Sequence, residues 1–330
     1  MDLMSREMAQ QPAVLERLVD RFPQLVAAVA ALTPEPPCAV VLLARGSSGN
    51  ASLLGRYAIE LATGRPVAVA APSLVTRYDV RSDYRGVLVV AVSQSGQTPE
   101  ICQTVAALGG AGATTLAITN DSDSPLAQAV HATLDLAAGP ESAVPATKTV
   151  TAQMLALLAV ASALGSLPLE TGHLRDLPAA VSRALQSAAT YDALADRWAQ
   201  RQDLLVVARG LLLAAAKETA LKIRECAGLA AEGMSSSDLL HGPIAALRQG
   251  SAVLLLGGDP ATDADLSDLQ HHLSDRDVDL EALRAGADVV PLLAPLVATV
   301  HGQQLARALS RARQLDPDRP PGLSKITRSH

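Results

Sequence analysis

The stretch Gly86–Glu100, "GVLVVAVSQSGQTPE", places binding groups where packing groups end. An apolar run of the kind that forms a buried strand stops at Ser93-Gln94-Ser95-Gly96-Gln97-Thr98. Ser93, Ser95 and Thr98 bring hydroxyls, Gln94 brings an amide, and Gly96 lets backbone approach a ligand closely. Pro99 suits the first turn of a helix and Thr98 stands where an N-cap belongs. A helix start offers unpaired N–H groups and the positive end of the macrodipole, so neutral donors and helix together suit a phosphate monoester. A capped turn without a ligand needs fewer polar groups than this stretch carries.

Two further stretches carry chemistry. "ARGSSGN" (Ala44–Asn50) ends another apolar run, and Ser47 and Ser48 could reach the same ligand, although an ordinary Gly/Ser turn reads the same way. It is neither a Walker A loop nor GxGxxG, so nucleotide binding is not implied. In "KETALKIRECAGLAAEGMSSSDLLHGP" (Lys217–Pro243), Lys222 and Glu225 stand three apart, hence on one helix face. Such pairs are commonly exposed; the apolar surroundings point instead to a mostly buried helix. A buried Glu with raised pKa beside a Lys is a proton-transfer group. His241 in "LLHGP" fits either a turn residue or a catalytic one.

The elements that must position these groups alternate short β-rich runs with helical ones, the pattern of a parallel α/β sheet. Strands are expected at Cys38–Ala44, Pro66–Ala70, Gly86–Val92, Ala113–Thr119 and Ala132–Leu136. Helices are expected between them at Asn50–Thr63, Pro99–Leu108 and Pro125–Val130. Then the pattern restarts. "CAVVLLARGSSGNASLLGRYAIELA" (Cys38–Ala62) aligns with "DLLVVARGLLLAAAKETALKIREC" (Asp203–Cys226), each a strand, Ala-Arg-Gly and a helix. Gly86–Gly96 finds its counterpart in Ser251–Pro260, where Gly-Gly-Asp-Pro replaces Ser-Gln-Ser-Gly. Helices spanning Thr149–Arg201 join the copies, and residues 1–35 read as an amphipathic helix plus the turn "TPEPP".

Composition narrows the function classes. The 330 residues are 49% hydrophobic with one Trp and one Phe, so the core is aliphatic and base stacking on aromatic platforms is disfavoured. A net charge of −6 argues against nucleic acid as the main partner. Cys38, Cys102 and Cys226 lack metal-binding or CxxC spacing, which points to a reducing compartment and no zinc. No signal peptide is visible at Met1-Asp2, and Val150–Leu167 is broken by Thr, Gln, Ser and Gly. That segment is expected as a buried helix, with no membrane span, and the protein as soluble and cytoplasmic.

"SQSGQT", "ARGSS", "PATKT", "ALKIRE", "LLHGP" and the terminal "LSKIT" occur in the order found in tandem sugar isomerase (SIS) domain proteins. The chain resembles the isomerase half of glucosamine-6-phosphate synthases and, more closely, free-standing SIS-type glucosamine-6-phosphate deaminases. The resemblance implies two tandem SIS domains, each a doubly wound, flavodoxin-like αβα sandwich with a parallel sheet. It places them at residues 36–170 and 201–314, after a helical segment 1–35, around a helical connection 171–200, and before a tail 315–330 that reaches the active site. It implies that Ser93, Gln94, Ser95 and Thr98 clamp a sugar 6-phosphate, with Ser48 near the sugar and Val144 near C1–C2. Glu225 would shuttle the proton between C1 and C2, Lys222 would stabilise charge, and His241 would assist ring opening from the partner subunit of a homodimer. Lys325 matches a tail lysine that forms a Schiff base with the open-chain ketose in the synthases.

The departures narrow this. No glutaminase is expected ahead of the sugar domain, so ammonia is released or taken up free. Ala146 stands where the synthases use a serine toward the phosphate, and Pro145 is unusual beside it. The expected reaction is glucosamine 6-phosphate plus water to fructose 6-phosphate and ammonia, without metal or redox cofactor. A deglycase of 6-phosphorylated Amadori adducts, a plain ketose–aldose isomerase, and a sugar-phosphate sensor without catalysis are the alternatives.

Overall fold

The computed structural model describes residues 2–80 and 82–325, and the chain divides into two compact units. One comprises Val14–Glu141 and Lys148–Pro168 with Ser324 and Lys325; the other comprises the stretch up to Ala13, Ser142–Thr147 and Leu169–Leu323.

The first unit is built on a parallel sheet of β1 (Ala39–Ala44), β2 (Val67–Val69), β3 (Val87–Val92), β4 (Thr114–Thr119) and β5 (Ala132–Asp135), in the order β2-β1-β3-β4-β5. All five expected strands form, and the central β1, β3 and β4 are made of Val, Leu, Ile, Ala and Thr that fit a sheet covered on both faces. Alternate residues Val41, Leu43, Val89, Ala91 and Ala117 pack against Ile101, Val105 and Leu108 of the helix Pro99–Gly110. The helix Gly46–Thr63 follows β1 and leads to β2, on the other side of β1 from β3. Right-handed crossovers then send the helices after β1 and β3 to opposite faces. The α/β class with parallel sheets is as expected.

Gly46–Thr63 packs closely on Lys148–Leu164, because Gly55 has no Cβ; one placed there would lie 2.8 Å from Leu157 Cδ2. Every residue of the second helix from Lys148 to Ala161 is buried, so its lack of a polar face reflects burial on all sides. No described helix is long and apolar enough to cross a membrane.

The other unit carries β6 (Asp203–Ala208), β7 (Ala230–Ser235), β8 (Ala252–Gly257) and β9 (Asp279–Arg284), all parallel, ordered β7-β6-β8-β9. This repeats the order of β2-β1-β3-β4. The turns after the central strands also repeat. Arg45 and Arg209 share φ −136°, and Gly46 and Gly210 follow at φ +53° and +60°, a region that only glycine enters cheaply.

Several expectations change. Residues 1–35 form three helices, Leu3–Ala9, Gln11–Asp20 and Phe22–Leu32, rather than one. The first helix belongs to the unit with β6–β9, where the Asp318 carboxylate accepts from the N–H groups of Leu3 and Met4, both at 2.7 Å. The helix expected from Asn50 begins at Gly46, so Ser47 and Ser48 lie in its first turn and not in a loop before it.

Candidate active site

The polar turn after β3 sits beside the end of β1, since Ala44 and Val92 are register partners. Here the chain turns to opposite faces of the sheet, which opens a crevice beyond the strand ends where ligands of doubly wound folds bind. The Ser93 and Ser95 hydroxyls accept from the N–H groups of Gly96 and Gln97, both at 3.2 Å, and so curl the turn. Gly96 has φ +60°, and a Cβ there would lie 2.1 Å from Ser124 Oγ. Gln94 and Ser95 are half-buried, as is Thr98. Thr98 occupies the N-cap position of Pro99–Gly110, but its side chain makes no capping bond, contrary to expectation. With Pro99 holding the helix start in shape, the cap hydroxyl is not consumed there.

Ser48 is buried, and its hydroxyl accepts from Gln153 Nε2 at 3.0 Å. Gln153 comes from the all-buried helix, and its role was not legible from sequence. Ser47 is half-buried beside it. Arg45 reaches across to the first turn of the neighbouring helix, pairing with Glu100 at 3.0 Å. Two helix N-termini, after β1 and after β3, therefore flank one strand-end crevice.

Lys325 belongs to the same unit. Its Nζ donates to Glu141 Oε2 at 3.1 Å, and the Glu141 carboxylate is fully buried. Val144 follows in the loop Ser142–Thr147, which packs with the other unit; its N–H donates to Asp318 O at 3.2 Å.

In the other unit, Lys222 and Glu225 share a face of the helix Leu213–Ala227 and form a direct ion pair. The buried member is the lysine. Lys222 is 1% exposed and Glu225 21%, which corrects the expectation of a buried glutamate. A second carboxylate, Glu218, lies one turn earlier at 0% exposure, 3.5 Å from Lys222 Nζ. Its burial arises because Ala294–Ala312 packs over this helix, with Gly302 against Thr219, a contact no local pattern reveals. Burial works against the charge on Lys222, but Glu218 and Glu225 outweigh it and hold the ammonium above its ordinary pKa. Burial pushes the adjacent Cys226 thiol up to about 12, against the pull of Lys222. A carboxylate at the exposed end of a fixed, buried ammonium can take and return a proton without the pair moving.

His241 is exposed at the C-cap of the short helix Ser236–Leu240, its N–H donating to Ser237 and Asp238 carbonyls at 3.2 Å. The structure does not bond it to Lys222 or Glu225. Among the described residues, no group of three or more His, Cys, Asp or Glu side chains is arranged to hold a metal ion.

A model of the SIS domain matches residues 38–163. The glutamine–fructose-6-phosphate aminotransferase (isomerizing) of Mycobacterium tuberculosis is 34% identical over 314 residues, covering 87% of this chain and 50% of that protein. The chain thus spans about half the length of the curated relatives it matches. A crystal structure assigned as a phosphosugar isomerase from Silicibacter pomeroyi superposes with a TM-score of 0.84 at 32% identity, covering 96% of this chain and 100% of that one. Glucosamine-6-phosphate deaminase of Thermotoga maritima shares the fold, with a TM-score of 0.76 at 20% identity over 99% of this chain and all of that one. Strand order, strand-end crevice and whole-length likeness agree: the chain belongs to the SIS-domain family of phosphosugar isomerases.

Proposed function

We propose that the protein is a deaminating aldose–ketose isomerase of amino-sugar phosphates, converting glucosamine 6-phosphate and water to fructose 6-phosphate and ammonia. The observation that carries the reading is the Ser93–Thr98 turn at the β1/β3 strand ends, where hydroxyls and a helix start converge. Ser93, Gln94, Ser95 and Thr98 hold the phosphate, with Ser47, Ser48 and Val144 toward the sugar. His241, exposed and contributed by the partner of a homodimer, assists ring opening. The aldehyde at C1 acidifies the C2 proton, and Glu225 moves that proton from C2 to C1 beside the Lys222 charge. The imine left at C2 takes up water and releases ammonia. Lys325 engages the open-chain carbonyl. On this reading β6–β9 are a second SIS domain, diverged at the Gly257-Gly258-Asp259-Pro260 turn and retained to carry Lys222, Glu225 and His241.

One observation favours a second reading. An open cavity of about 520 Å³ adjoins Glu225, walled by Leu221, Arg224, Leu315 and Leu323. That is far more room than ammonia needs, and suits an amine bearing a carbon substituent, as in a 6-phosphorylated Amadori adduct. There the proton moves from C1 to C2, and hydrolysis of the C1 imine gives an aldose phosphate and the free amine.

Ammonia release from glucosamine 6-phosphate, measured beside amino-acid release from fructosyl-amino-acid 6-phosphates, decides between them. Faster turnover of the first by at least tenfold in kcat/KM is expected. Tight binding without turnover of either would instead make the protein a sugar-phosphate sensor.

A further inference from the structure

The loops that leave β3, β4 and β5 are stapled by one residue, Asn120. Its backbone N–H donates to Gln94 O at 3.1 Å. Its Nδ2 donates to Gly139 O at 2.9 Å, and its Oδ1 accepts from the Ala138 N–H at 2.8 Å. The Thr119 hydroxyl adds a second bond to Gln94 O, at 3.3 Å. The polar turn and the 138–141 segment are thereby held in one frame. Two residues past Gly139, the buried carboxylate of Glu141 accepts from the Thr149 N–H at 3.1 Å and the Thr149 hydroxyl at 2.6 Å. These bonds fix it at the start of the helix Lys148–Leu164. Lys148 Nζ donates to Pro140 O at 2.7 Å, which pins the same segment from the other side. Glu141 Oε2, which accepts from the Thr149 hydroxyl, also takes the Lys325 ammonium.

We infer that Glu141 is a positioning residue for Lys325, holding the tail amine in register with the phosphate-binding turn through the 138–141 segment and Asn120. The inference rests on the reading of Lys325 as the amine that engages the sugar carbonyl. A hexose 6-phosphate spans a set length between its phosphate and its C1–C2 end, so two groups that grip opposite ends gain from a rigid spacer. In the condensation, Lys325 Nζ gives up a proton and attacks the carbonyl carbon. A C–N bond forms, the carbonyl oxygen leaves as water, and an imine remains. An amine on an untethered tail would meet the carbonyl at a far lower effective concentration.

The test uses the full chain, Glu141→Gln, Lys325→Ala and the double variant. Hydrogen exchange of the tail peptide carrying Lys325 is read without sugar. Borohydride trapping of Lys325 with fructose 6-phosphate is read by mass. Glu141→Gln is expected to raise tail exchange to the level of Lys325→Ala, with no further rise in the double variant. Its trapping rate is expected to fall at least about tenfold, with fructose 6-phosphate affinity within about twofold of the parent. Trapping that falls while fructose 6-phosphate affinity is kept separates positioning from a merely structural loss, which would lower both. If Glu141→Gln does not fold, Glu141→Asp, which withdraws the carboxylate by one methylene, takes its place. Unchanged tail exchange in the Glu141 variant, or full additivity in the double variant, overturns the inference. Coupled exchange with no trapping even in the parent upholds the docking of Lys325 and sinks the imine reading instead.

Discussion

Lys222 is held between two carboxylates inside the protein, and removing it takes a buried counter-charge away from the buried Glu218. Breaking a buried pair in this way costs about 3–5 kcal/mol. Lys222→Met is therefore expected to lower the urea-unfolding free energy by that amount, and Glu225→Gln, at the exposed end, by less. Glu225→Gln should abolish turnover and keep phosphate-ester affinity; surviving turnover would displace Glu225 as the proton carrier. The same cluster sets a response to alkali. The Cys226 thiol is raised by burial from 9.0 to about 12, and the Lys222 ammonium is raised above 10.5 by its carboxylates. Both groups keep their proton longer when folded, so their contribution is complete below the unfolded values and fades as pH climbs past them. The urea midpoint should hold to about pH 8.5 and fall between roughly pH 9 and 11, with Cys226→Ala removing part of the slope. A midpoint flat to pH 11 would contradict the buried placement of the cluster.

At the scale of elements, close approaches depend on glycine. Gly96 is positioned at φ +60° against Ser124, so Gly96→Ala strains the backbone and pushes on a neighbour at once. A stability loss of about 1–3 kcal/mol and a weaker grip on sugar phosphates are expected, read by thermal melting with and without fructose 6-phosphate. A Cβ on Gly302 would fall 1.9 Å from Thr219 Oγ1, prising Ala294–Ala312 off the helix of Lys222. This level also shows what the residues disclosed in advance. The strands of the first sheet were legible because each is a short run of aliphatic and β-branched residues bounded by Gly, Pro or polar turns. β9, "DLEALR", was not: it is an edge strand of good helix formers alternating with charge. β7, "AAEGMS", carries a glycine because a Cβ on Gly233 would lie 2.5 Å from Lys217 Cα. The Ser93–Thr98 turn was legible because polar groups break an apolar run. Glu218 and Glu141 were not, because their meaning is burial by elements remote in sequence.

For the whole molecule, the proposed dimer makes a prediction no single chain can. Five large apolar side chains between Leu61 and Val80 stand exposed, as does Leu240 beside His241, the kind of surface a second subunit covers. If His241 serves its partner's site, mixing Glu225→Gln and His241→Ala protomers should restore about a quarter of wild-type activity, since half the dimers are mixed and each holds one intact site. Absence of rescue after subunit exchange would place His241 in its own protomer's site.

The Asp318 carboxylate, bonded to the Leu3 and Met4 N–H groups, bears on how the protein is made. During synthesis the helix at Leu3 is made more than 300 residues before Asp318, and until then its Leu3 and Met4 N–H groups lack this partner. Its partner arrives only seven residues before Lys325. Completion of that unit and delivery of the tail amine therefore depend on the same short stretch of chain. A chain cut short before residue 318 lacks that carboxylate, and limited proteolysis near Leu3 is expected to be faster in it than in the full chain.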